Sequence, residues 1–152
     1  MTASRIKTAL VTSTRLRGSG ECIGLVVSDA AQQDIVLENA TCYFLQHDLH
    51  QDILEGSGVI VPKAHRPTTF DLTEDEWRDL RTLLLQARAY SAERYRPDGY
   101  TLGWNVGIVS NQEIAHAHFH VVPRYADEPH AGKGIRHWLK QEDNRRAARS
   151  RR

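Results

Sequence analysis

Apolar and polar positions along this chain divide it into short strand-like runs and one long helical stretch. Asp34-Ile35-Val36-Leu37-Glu38 and Thr41-Cys42-Tyr43-Phe44-Leu45 read as two strands around an Asn39-Ala40 turn, which predicts a hairpin. Ahead of them, Ile23-Gly24-Leu25-Val26-Val27 fits a short strand or a buried helical turn. Asp48 to Gly58 is polar with two glycines and reads as a loop. Val59-Ile60-Val61 is a buried strand that Pro62 stops. The clearest helix starts after Thr73. Thr73 with Glu76 forms a capping box, and Glu74 and Asp75 suit the positive end of the helix. Trp77, Leu80, Leu84, Ala87 and Ser91 then make one core-facing stripe until Pro97-Asp98-Gly99 ends the segment. Tyr100 to Asn105 reads as a strand, Val106 to Asn111 as a loop, and Ile114 to Val122 as a strictly alternating strand closed by Pro123. Beyond it only a turn of helix near Ile135 to Lys140 is expected. Strands with one long helix and few helix–strand alternations argue for an α+β fold.

Length changes this picture little: 152 residues predict one domain. We divide the chain into an arm (1–20), a domain (21–139) and a basic tail (140–152). The tail carries a charge of +4 and the rest −3, for a net +1. A mildly acidic body makes nucleic acid an unlikely partner, and the basic end reads as a solvated tail. No apolar run nears the ~20 residues of a membrane span. Ala9-Leu10-Val11 is too short for a secretion signal. Cys22 and Cys42 form neither a disulfide framework nor a C-x-x-C pair. A reduced, cytoplasmic protein is expected.

The chemistry concentrates in Ile114 to Val122. In a strand, His116, His118 and His120 share one face, while Ala117, Phe119 and Val121 pack on the core. Three imidazoles in a row supply donors and acceptors near neutral pH. Metal binding is one reading, since alternating histidines can ligate zinc. Three alternate positions, however, span about 13 Å in a straight strand, too far for bonds of about 2.0–2.1 Å to one ion. Covalent phosphate chemistry is the other reading and fits that spacing better: an imidazole nitrogen attacks phosphorus while its neighbours donate to phosphate oxygens.

The segment His116 to Val122, followed by Pro123-Arg124, resembles the histidine-triad (HIT) signature. Asn105-x-Gly107 with Gln112 is similar to that family's phosphate loop, and Gly58 to His65 resembles its V-I-P-K-x-H segment. Asp71-Leu72-Thr73 and the acidic helix start add to the likeness, which covers residues 22–124. It implies a single α+β domain with a HIT-like antiparallel sheet and one long helix, a homodimer, and hydrolases or transferases acting on nucleotides at the α-phosphorus. Three departures stand out. Gly56-Ser57 occupies the place where many members have Gly-His. Cys22 lacks a second cysteine for the N-terminal zinc site. Gln46, His47 and Asp48 compete for the position that contacts ribose.

By this resemblance His118 is the nucleophile, His120 donates to a phosphate or leaving-group oxygen, and the carbonyl of His116 accepts from His118 to fix its tautomer. Gln112 is a phosphate-side donor or a loop cap. Asn105 contacts phosphate or ribose, or simply precedes a turn. Glu113 stands where other members have a hydroxyl residue, and its backbone N–H is the useful part. His65 belongs at the site edge. Arg124 reaches an anion or caps the strand. Trp77, Trp104 and Trp138 read as core or interface residues. His47, His50, His130 and His137 lie in polar stretches and carry little weight. The expected protein is a HIT-type enzyme that cleaves nucleoside phosphoramidates or dinucleoside polyphosphates through a nucleotidyl-histidine, with no metal or cofactor. A nucleotide-binding sensor with little turnover is the first alternative. A metal-dependent hydrolase using His116 and His118 as ligands is the second.

Overall fold

A computed structural model describes residues 33–146. The arm, Cys22, the Ile23–Val27 segment and the last six residues lie outside the described residues. Five strands form one antiparallel sheet: β1 (Gln33–Glu38), β2 (Cys42–His47), β3 (Gly58–Pro62), β4 (Gly99–Trp104) and β5 (Phe119–Arg124). Their order across the sheet is β1-β2-β3-β5-β4, so β5 inserts between β3 and β4. The hairpin, the long helix and the α+β class agree with the sequence reading.

Helix α1 (Glu74–Arg94) crosses from β3 to β4 and covers one face of the sheet. Its capping box is complete: the Thr73 hydroxyl accepts from the Glu76 N–H at 3.3 Å, and the Glu76 carboxylate accepts from the Thr73 N–H at 2.8 Å. Leu80, Leu83 and Ala87 pack onto Cys42, Phe44, Ile60 and Val121. The buried stripe differs from the expected one. It runs through Glu76, Leu80, Leu83, Ala87 and Ser91, whereas Leu84 is half-buried and Trp77 is 42% exposed. Trp77 instead sets its ring against Trp104, with centroids 5.9 Å apart. On the other face of the sheet, Leu45 and Val61 form a smaller cluster with Ile35, Tyr43, Val59 and Ile114.

The expected strand from Ile114 to Val122 is the main correction. β5 begins only at Phe119, where both of its ladders stop: Ile60 and Trp104 each pair with Phe119, β4 ends at Trp104, and β3 runs on to Pro62 paired with β2 alone. Before that point, backbone groups find partners outside the ladder. Ala117 N–H donates to Arg66 O at 2.6 Å, and Ile114 O accepts from the Gln112 side chain at 3.0 Å. Pro123 does not close β5, which runs on to Arg124 opposite Gly99. Pairing with β3 stops at Val121, so Pro123 lies beyond that ladder.

After β5 the chain folds back over the sheet. The Arg124 guanidinium binds the Glu128 carboxylate, the Thr101 hydroxyl (2.9 Å), His130 O (2.8 Å) and Lys133 O (3.3 Å). Arg124 therefore staples the following segment, which leads into the short helix α2 (Ile135–Leu139). No helix among the described residues is long and apolar enough to cross a membrane.

Candidate active site

The site forms where the bend before β5 meets the loop after β3. The three histidines do not share one flat face. His116 precedes the strand and is 2% exposed; its Nε2 lies 2.9 Å from Pro62 O. A carbonyl only accepts, so Nε2 carries the proton and Nδ1 is the bare nitrogen. That Nδ1 is shielded and has no partner among the described residues. The His65 ring stands edge-on to His116, with centroids 5.4 Å apart, while His65 itself is exposed at the rim.

His118 Nδ1 lies 2.9 Å from the carbonyl of His116 and donates to it. In the neutral ring the proton is thereby held at Nδ1, and Nε2 keeps its lone pair. The His120 ring packs edge-on at 4.9 Å, and its shielded Nε2 has no partner among the described residues. Burial pushes His116 below the ordinary imidazole range, against its bond to Pro62; His65 and His118 push it further down. Burial and the nearby His118 push His120 down as well. Both rings are therefore neutral at pH 7, as donors and acceptors with fixed hydrogens must be.

A cavity of about 260 Å³ opens beside His120. Leu45, Leu54, Val59 and Val122 give it an apolar lining, and Gln46, His47, His50 and Ser57 a polar one. Its outer wall is the loop from Asp48 to Ser57, which is stitched in place. Gln51 donates to His47 O (3.2 Å) and Ser57 O (3.0 Å), and its own carbonyl accepts from Gly56 N–H at 2.9 Å. Gln46 donates to Gly56 O at 2.8 Å. Gly56 has φ of +73°, and a Cβ there would come within 2.7 Å of the Tyr95 ring, so only glycine fits.

The loop between β4 and the bend is closed by Gln112. Its amide donates to Pro67 O (2.7 Å) and Ile114 O (3.0 Å), and its carbonyl accepts from Gly107 N–H at 2.8 Å. Both donors are engaged, so Gln112 braces the loop and does not offer a free donor to phosphate. Gly107 has φ of +79°, a value that favours glycine. Asn105 is half-buried at the end of β4, and its side chain makes no hydrogen bond among the described residues. The Glu113 side chain is exposed. Arg124 is committed to its staple.

His47 and His50, given little weight from sequence, both line the cavity, while Asp48 does not. Their signal was hidden in a segment that reads only as polar loop. Nor did any pattern mark Arg66, whose carbonyl holds the Ala117 N–H. Among the described residues, no group of three or more His, Cys, Asp or Glu is arranged to hold a metal ion.

Known proteins bear on this geometry. Curated relatives include a bis(5'-adenosyl)-triphosphatase of Dictyostelium discoideum, 31% identical over 72 residues, covering 47% of this chain and 48% of the relative. An adenosine 5'-monophosphoramidase of Schizosaccharomyces pombe is 25% identical over 80 residues, covering 53% and 57%. The chain thus spans about half the length of these relatives. A crystallised HIT family protein from Bacillus anthracis superposes with a TM-score of 0.59 at 23% identity, over 72% of this chain and 77% of that one. Another, from Bacillus subtilis, gives 0.60 at 20% identity over 71% and 76%. These likenesses establish the fold. The family model described as "HIT domain" matches residues 29–127, nearly two thirds of the sequence, and on that match the chain belongs to the HIT domain family.

Proposed function

We propose that this protein is a nucleotide hydrolase or nucleotidyl transferase acting at the α-phosphorus of a nucleoside phosphoramidate or dinucleoside polyphosphate. One observation carries the reading: the backbone carbonyl of His116 takes the Nδ1 proton of His118 at 2.9 Å. A neutral imidazole with one nitrogen so held has its other nitrogen ready to attack. His118 Nε2 forms a bond to phosphorus as the bond to the leaving group breaks, and the electron pair departs with that group. Water then attacks phosphorus, the P–N bond breaks back to Nε2, and a nucleoside monophosphate leaves. An acceptor alcohol or amine in place of water makes the same sequence a transfer.

His120 is the second element. Its unpartnered Nε2 beside the nucleophile is what a group whose partner is the substrate looks like. In this reading it serves an oxygen on the α-phosphorus or the leaving group. The adjacent cavity, apolar with a few polar groups, suits a nucleoside. His116 positions its neighbours, and His65 stands edge-on beside it at the rim. The names of the triphosphatase and phosphoramidase relatives support both leaving-group classes.

The test is chemical trapping. The protein is incubated with an adenylated amine and a diadenosine polyphosphate, quenched, and its mass measured. A nucleotidyl adduct on His118 is expected, together with turnover. His118→Ala should abolish both while keeping nucleotide affinity, because the core residues Ala117 and Val121 are untouched. A folded His118→Ala protein with normal turnover, or an adduct on another residue, removes the assignment.

The same reading includes a homodimer. Among the described residues β4 is an edge strand, and Leu102, Trp77 and Leu85 are exposed on β4 and α1. Light scattering at micromolar concentration should exceed the 17.3 kDa chain mass about twofold. A monomer mass would contradict it.

A further inference from the structure

The peptide group that joins His116 to Ala117 has both its polar atoms engaged. Its C=O accepts from His118 Nδ1 at 2.9 Å, and its N–H donates to Arg66 O at 2.6 Å. Arg66 is itself fixed from the far side. Its Nε lies 2.9 Å and 3.0 Å from the two carboxylate oxygens of Glu76, a residue only 4% exposed at the start of α1. Glu76 in turn is held by Thr73 N–H at 2.8 Å. The capping box needs a carboxylate or amide here, but it does not need Arg66. A buried charge paired to a residue whose carbonyl reaches into the triad calls for a reason beyond the helix end.

We propose that Glu76 and Arg66 are positioning residues for the nucleophile, acting through the His116–Ala117 peptide group. The ion pair anchors the Arg66 backbone to α1. The anchored Arg66 carbonyl holds the Ala117 N–H. Donation from that N–H polarises the same peptide's carbonyl and makes it a better acceptor for His118, since hydrogen bonds in a chain strengthen one another. Four groups in series thus decide where the His118 proton sits and how the ring is aimed. The orientation matters because a reacting atom displaced by an ångström loses much of the rate. This proposal rests on the nucleotidyl-transfer reading for its effect on rate, but not for its effect on the imidazole.

The test compares wild type with Glu76→Gln, Arg66→Met and Arg66→Lys. Glu76→Gln keeps an acceptor for the Thr73 N–H and removes the charge. Arg66→Lys keeps a cation but not the guanidinium fork, so at least one mild variant folds with the site intact. Nitrogen-15 NMR reads the His118 tautomer without substrate. Wild type should show the proton of the neutral ring on Nδ1. Glu76→Gln and Arg66→Met should raise the minor tautomer. With nucleotide substrate, kcat should fall about tenfold to a hundredfold while KM stays within about twofold. Arg66→Lys should fall between. Variants that are merely less stable, with the His118 tautomer and kcat unchanged, would overturn the proposal. If wild type turns over no nucleotide, the functional reading fails, and the tautomer measurement still decides this one.

Discussion

At the residue scale, the site depends on imidazoles kept neutral. His116 and His120 both resist protonation because of burial. A histidine whose native pKa is depressed contributes stability above its unfolded value, and that stability is lost as pH falls toward the native value. Unfolding midpoints in urea should therefore drop between about pH 7.5 and 5.5, across the ordinary imidazole pKa. In His116→Gln, which keeps a donor for Pro62 O but cannot titrate, the drop should be smaller; an unchanged drop would mean that other groups dominate. His120→Ala should lower turnover about 10²- to 10³-fold, the usual cost of one donor at a developing charge. A loss below tenfold would take His120 out of the chemistry. The triad residues were legible because their spacing is so specific. The orientation of each ring was not. Whether His116 points at solvent or at Pro62 depends on the end of β3, 54 residues earlier in the chain, and no local pattern encodes that.

At the element scale, what the sequence made legible is what local chemistry controls. The β1–β2 hairpin and the start of α1 follow from turn residues and the Thr73–Glu76 box. Removing that cap in Thr73→Ala should cost about 0.5–2 kcal/mol of unfolding free energy, measured by urea denaturation. A cost near zero would mean that tertiary packing alone sets the helix start. The elements misjudged are those whose limits are set by partners. The expected β5 is five residues too long at its beginning because its apolar alternation continues past the point where the ladders with β3 and β4 stop. A sequence records which side chains alternate, not whether a neighbouring strand is there to bond with. Trp77 went astray for a similar reason. It lies on the expected stripe, yet a better surface waits on Trp104.

At the scale of the whole molecule, the described start of the C-terminal tail, residues 141–146, makes no side-chain hydrogen bond to the candidate site. Contacts described beyond residue 140 are local: Gln141 to His137 O, Asn144 to Leu139 O, and Arg145 with Glu142. Deleting residues 141–152 should leave kcat and KM within about twofold, since exposed charges act weakly at physiological salt. A large loss of turnover in a folded truncation would give the tail a part in the site. The cavity wall has a different consequence. Its loop is fastened at both ends by Gln51, backed by Gln46, and wedged by Gly56 against Tyr95. The entrance is therefore already in its final shape before anything enters. Ligand capture should be a one-step event, with stopped-flow traces whose rate rises linearly with concentration and never saturates. With the described wall fastened in place, departure calls for no swing of this loop, and in the proposed reaction bond-breaking, not escape, should be the slow step of each cycle.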